Sequence, residues 1–253
     1  MKKLITTCLT MLTLAVLPNI ASALTNGGFE SGSLTPGWNS VYTNDGSNNG
    51  NTHEAYVTDD YYYSGDYALW GYAEIIGDYN PDWSEGNLQE DWSRTYVWSD
   101  YQDLSGVTSI KLYLTNFTSS SDHDSWGYGQ EVLLMLSDGI NQASAILIDN
   151  HQGWVSLFDL GLYADSTGDD GNIWHGFDAP LSTDPNYFGA GFSSLDLSNT
   201  KVGICWEANS WHMSSWTLWA GAAIDDVQLV PEPATICLLG LGALGLLRRK
   251  RSV

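Results

Sequence analysis

The sequence predicts an all-β protein, folded as one antiparallel β-sandwich. Three observations point there. No window between residues 24 and 229 sustains a helical apolar period. Short runs of alternating apolar and polar residues recur instead, bounded by Gly, Asn, Asp and Ser clusters that suit turns. The composition, with 12 Trp and 14 Tyr, also favours half-buried pleated surfaces.

The chain divides into three parts: residues 1–23, 24–229 and 230–253. The first reads as a secretory signal peptide, an N-terminal signal helix. Lys2 and Lys3 open it, residues 4–17 form an apolar core, Pro18 breaks it, and Ala21-Ser22-Ala23 is a small-x-small cleavage site. The mature chain then begins at Leu24.

In the second part, a short strand at residues 28–30 meets a turn and then Pro36-Gly37-Trp38. Residues 41–53 form a polar loop, in which Asp45, Ser47, Asn49 and Gly50 imitate the start of a calcium loop. The Glu expected at its twelfth position is replaced by Tyr56, so a turn is the reading. Strand-like runs follow at 63–72, 95–98 and 106–117, then a hairpin of 131–136 and 143–149 around Ser137-Asp138-Gly139, then 154–160. Residues 165–180 read as a long loop whose Asp165, Asp169 and Asp170 fit no EF-hand pattern. Runs at 195–206 and 222–229 complete the set.

The third part carries Pro231-Glu232-Pro233, an apolar run at 234–247 and the basic cluster Arg248, Arg249, Lys250 and Arg251. The prolines stop an upstream strand. The run is a short transmembrane helix of about 21 Å at ~1.5 Å per residue, against a hydrocarbon core of ~30 Å. The basic cluster stays on the cytoplasmic side. So short a span suits a transient signal.

This tail resembles the PEP-CTERM sorting signal of bacterial exported and surface proteins. The resemblance implies recognition by an exosortase and the secretion machinery. It also implies inner-membrane anchoring, transient or stable, followed by release to the cell surface or exterior.

Charge and cysteine usage agree. The chain carries 30 acids against 9 Lys and Arg, a formal net charge of −21. Between the two targeting segments the only basic residues are Arg94, Lys111 and Lys201. A domain so acidic repels nucleic-acid phosphates and attracts cations. Cys205 is the only cysteine there, so no disulfide forms within the domain. It lies in a strand-like run and reads as a small buried apolar residue.

Three further stretches resemble jelly-roll, galactose-binding-like carbohydrate-binding modules. They are Asn26-Gly27-Gly28-Phe29-Glu30 with Gly37-Trp38, Ser64-Gly65 through Ala68-Leu69, and Ala223-Ile224-Asp225-Asp226. The resemblance implies a sandwich closed by its first and last strands. It also implies a structural Ca²⁺, with Glu30 and Asp225 as ligands, a backbone carbonyl from Gly28, and Asp66 as an extra.

Sugar binding needs flat aromatic faces with polar groups beside them. Trp83, Trp92, Trp126, Trp174 and Trp211, in loop-like stretches, are the candidates for carbohydrate contact. Trp38, Trp70, Trp154 and Trp206, inside strand-like runs, are expected in the core. No H-E-x-x-H or G-x-S-x-G signature is present, so no catalytic residue is expected. The reading is an exported, non-catalytic protein that binds extracellular polysaccharide. Its alternatives are a structural surface or biofilm protein with no small ligand and, third, a polysaccharide-active enzyme.

Overall fold

The computed structural model describes residues 24–44, 52–76, 91–121, 128–151, 154–157, 165–210 and 217–232. The expected signal helix, the tail helix with Pro233, Arg248, Arg249, Lys250 and Arg251, and the polar stretch 45–51 lie outside the described residues. Among the described residues no helix is long and apolar enough to cross a membrane.

In chain order the strands are β1 (Trp38–Asn44), β2 (Thr52–Thr58), β3 (Ala68–Ile76), β4 (Asp91–Ser99), β5 (Val107–Ser121), β6 (Tyr128–Ser137), β7 (Gln142–His151), β8 (Trp154–Leu157), β9 (Ser166–Thr167), β10 (Ile173–Pro180), β11 (Lys201–Ser210) and β12 (Thr217–Pro231). They form two six-stranded antiparallel sheets. The first runs β1-β4-β11-β6-β7-β8 and the second β2-β3-β12-β5-β10-β9.

Alternation along each strand decides what lies between the sheets. Val97, Val132, Leu134, Val202, Ile204 and Trp206 point inward from the first sheet, and Leu69, Ile110, Leu112, Leu114, Phe177 and Ile224 from the second, all fully buried. Trp206 crosses the gap. Its Nε1 donates to the Ala222 carbonyl at 3.2 Å, and its indole lies so close to Gly71 that a Cβ there would stand 2.7 Å from the ring. Two more bonds join the sheets, and a third holds the N-terminal turn to β1. Gln130 Nε2 donates to the Trp219 carbonyl at 2.7 Å, Thr95 Oγ1 to the Tyr72 carbonyl at 2.6 Å, and Trp38 Nε1 to the Asn26 carbonyl at 3.1 Å.

The fold departs from the sequence reading in several places. Residues 41–44 and 52–53, read as parts of a polar loop, lie in β1 and β2; the run at 63–72 is strand only from Ala68; and residues 195–199 precede β11 and include a 3-10 turn. Residues 28–30 form no strand. Asn26 at φ 58 and Phe29 at φ 56 turn the chain repeatedly, and this places the Phe29 ring in the core, 5.4 Å from Trp38. The sandwich is therefore not closed by first and last strands. Instead, the turn holds β12 by a bond from the Val227 amide to the Gly27 carbonyl at 2.9 Å. Residues 165–180 are not a long loop but the β9–β10 hairpin, because Phe177 and Ala179 alternate inward and pair with β5. Trp70 leaves the core for the outer face of β3, where it stacks on Tyr61 at 5.6 Å. Trp38, Trp206 and Cys205 are buried as expected. The side chain of Trp154 lies outside the described residues.

Candidate functional site

Two features stand out: an acidic cradle between the sheets' connections, and an aromatic face on the first sheet.

The cradle is built on residues 62–66, in the connection from β2 to β3. Every amide in this run donates to a carboxylate from a distant part of the chain. Tyr62 donates to Asp170 at 3.0 Å, Tyr63 and Ser64 to one oxygen of Asp225 at 2.8 and 3.0 Å, Gly65 to Asp169 at 3.3 Å, and Asp66 to Glu30 at 3.0 Å. Gly65 is required here. Its φ is +77 and a Cβ would meet the Glu30 carboxylate. Asp225 arrives through a break in register of β12 between Asp225 and Gln228, with Asp226 at φ 52. This is how a β-bulge re-aims a side chain.

Asp225 is fully buried. Burial pushes its carboxyl up to about 7, against the pull of the Ser64, Asp226 and Tyr63 amides. Asp170 is held below the usual carboxylate range. Burial acts upward there, but the bonds from Asn172, Tyr62 and Trp174 outweigh it. Gly28 lies beside both predicted ligands: a Cβ on it would stand 3.8 Å from Asp225 Oδ1 and 3.8 Å from Glu30 Cγ. The fold therefore brings Gly28, Glu30 and Asp225 to one place. Asp66 joins through its amide, while its side chain is exposed. The donor set is all oxygen, which suits Ca²⁺. Among the described residues no group of three or more His, Cys, Asp or Glu side chains is spaced to hold a metal, so a cation here needs main-chain carbonyls as well.

The second feature follows from the alternation of β4. Val97 points inward, so Trp92, Arg94, Tyr96 and Trp98 point outward, all half-exposed. Arg94 is gripped at two atoms by Glu207, from Nε at 2.6 Å and Nη2 at 2.9 Å, and lies 4.8 Å from the Trp92 ring centre. Its bond to Glu207 holds the guanidinium protonated more firmly than usual, against the effect of burial. Register continues this row across the sheet: Arg94 opposite Glu207, Glu207 opposite Glu131, and Glu131 opposite Asp149.

Beside the charged row lies an apolar one. Tyr96 and Trp98 stack with ring centroids 5.9 Å apart and planes within 10° of parallel. They rest on Leu133, Met135 and Cys205. Trp98 lies over Gly203, where a Cβ would come within 2.4 Å of the indole. Burial pushes the Cys205 thiol well up, so it is inert packing beneath the rings.

Of the predicted sugar contacts among the described residues, Trp92 stands on this face. Trp174 is a correction: it is fully buried on β10, edge-on to Tyr63 at 6.2 Å, with its Nε1 donating to Asp170 at 3.3 Å. A ring with no open face offers nothing to a sugar. Trp83, Trp126 and Trp211 lie outside the described residues. Tyr96, Trp98 and Glu207 were not anticipated. The signal was the spacing Trp92, Arg94, Tyr96, Trp98, with every second residue able to stack or to hydrogen-bond a hydroxyl.

Comparison with known proteins adds the following. Residues 229–251 match the PEP-CTERM protein-sorting motif. That motif marks the chain as an exported protein sorted through a C-terminal signal. No curated protein matches the chain. Among solved structures, it is similar to a carbohydrate-binding module of the β-sandwich superfamily, at 10% identity and TM-score 0.37, covering 82% of this chain and 60% of the other. The chain thus spans less than two thirds of that structure. It is also similar to the family 11 carbohydrate-binding module of Clostridium thermocellum, at 11% identity and TM-score 0.36, with 78% and 89% covered. A third similarity is to the K1 cleaved adhesin domain of Lys-gingipain from Porphyromonas gingivalis, at 14% identity and TM-score 0.35, with 79% and 96% covered.

Proposed function

We propose that this is an exported, non-catalytic glycan-binding protein whose contact surface is the outer face of the first sheet. The observation that carries the reading is the half-exposed row of Trp92, Arg94, Tyr96 and Trp98 on one strand, with Arg94 fixed by Glu207. Half-exposed aromatic rings held on one strand offer apolar surface to the C–H face of a pyranose. Arg94 donates and the carboxylates accept, so the hydroxyls of a sugar find both kinds of partner. Rigid side chains lose little freedom on binding. Glu207, the most buried acid of the row, is tied at both oxygens to Arg94, which suits a positioning role better than proton transfer.

In this reading the cradle is structural. A Ca²⁺ taken by Glu30, Asp225 and the Gly28 carbonyl would neutralise the buried Asp225 and lock the N-terminal turn to β12. An exosortase then acts on the C-terminal tail.

The test is affinity electrophoresis of the purified protein through gels containing soluble polysaccharides, with Trp fluorescence read in parallel. Retardation in at least one gel, with a fluorescence change, is expected. Migration unchanged in every gel and unmoved fluorescence would leave a structural surface protein as the better reading. Turnover of a polysaccharide would overturn the non-catalytic part.

A further inference from the structure

The sorting motif and the sandwich overlap. The matched residues begin at 229, yet β12 runs to Pro231. β12 lies between β3 and β5 over residues 217–224, and from there to Pro231 it stays paired with β5. Its Val227 and Leu229 are buried in the core. Thr108 Oγ1 donates to the Val230 carbonyl at 3.2 Å, Val230 pairs with Ser109 and Pro231 with Val107. The last bond belongs to the middle residue of the Pro-Glu-Pro triplet: the Glu232 amide donates to the Gly106 carbonyl at 2.9 Å.

A peptidase binds its substrate as an extended strand, using the backbone groups on either side of the bond it cuts. On the edge that faces β5 those groups are committed up to Glu232. To reach a bond at or before Pro231, the enzyme must first strip the end of β12 from β5, taking Leu229 out of the core. Opening a strand end that carries core side chains costs free energy.

We infer that the processing cut lies on the C-terminal side of Glu232, so that the mature protein keeps Pro231 and Glu232 as the end of its sheet. The inference rests on the sorting reading of the tail. The step is a hydrolysis: water's oxygen bonds to the carbonyl carbon of the residue that becomes the new C-terminus, the peptide C–N bond breaks, and the amine leaves with the tail. The sandwich is then left whole.

The experiment is to express the full chain in a cell that processes another protein bearing this tail, and to read the mature C-terminus by mass spectrometry. A terminus at Glu232 or beyond is expected. A terminus at Pro231 or earlier overturns the inference while leaving the sorting reading intact. A chain that still ends at Val253, while the other protein in the same cell has lost its tail, overturns the sorting reading and the inference together.

Discussion

Glu207 holds Arg94 by both carboxylate oxygens, and the Glu207 side chain is 8% exposed against 34% for Arg94. The pair is thus buried on its acid side and open on its basic side, which leaves the guanidinium edge facing solvent between Trp92 and Tyr96.

Glu207→Ala should therefore leave Arg94 half-buried without its partner. The expected cost is about 2 kcal/mol, below that of a fully buried pair because Arg94 retains water. Urea denaturation measures it. A cost near zero would mean the pair contributes nothing to the fold.

Two glycines should respond differently to the same change. Gly71→Ala places a methyl against the Trp206 ring within the core and should destabilise by about 2–3 kcal/mol. Gly203→Ala pushes on Trp98, which is half-exposed and has room to lift. It should cost about 1 kcal/mol or less of stability while disordering the Tyr96–Trp98 platform. Melting curves combined with gel retardation separate the two effects.

The burial of Asp225 makes a pH prediction for protein kept in a chelator. Its carboxyl titrates near 7 in the fold against 3.8 ordinarily, so the folded chain binds this proton more tightly than the unfolded one. The resulting stability is fully present below about pH 4 and is lost as pH rises through about 7, at about 1.4 kcal/mol for each tenfold difference in proton affinity. Melting temperatures from pH 4 to 8 should fall in the wild type, and Asp225→Asn should flatten the curve. A wild-type profile without that fall contradicts the assignment.

Calcium should reverse that loss. At a hundredfold excess over its dissociation constant a bound ion adds about 2.7 kcal/mol. Added Ca²⁺ at pH 8 should raise the melting temperature of the wild type, and Glu30→Ala should abolish the response. A wild type indifferent to both EDTA and Ca²⁺ removes the metal from the account.

Much of the fold was legible, because period-2 alternation survives wherever one face is buried. The β6–β7 hairpin and the closing strand stand close to where the alternation put them. Residues 28–30 were misread because positive φ at Phe29 leaves no mark in a residue pattern. The β9–β10 hairpin was hidden by its Asp and Gly content, which signals a loop until Phe177 finds its neighbours. In the site, Glu30, Asp225 and Gly28 lie close together. The sequence points to loops for the contact residues, whereas the exposed aromatic row lies on strand β4. Trp92 was found that way only in part. Tyr96 and Trp98 were passed over, because one strand does not reveal which of its faces is open.

The central claim is tested most directly by comparing Trp98→Ala with Trp70→Ala for polysaccharide binding, both confirmed as folded by their melting curves. The two tryptophans lie on opposite sheets, on β4 and β3. Trp98→Ala should weaken binding by about 2 kcal/mol, roughly thirtyfold, and Trp70→Ala should bind as the wild type does. Equal binding by Trp98→Ala and the wild type would contradict the account.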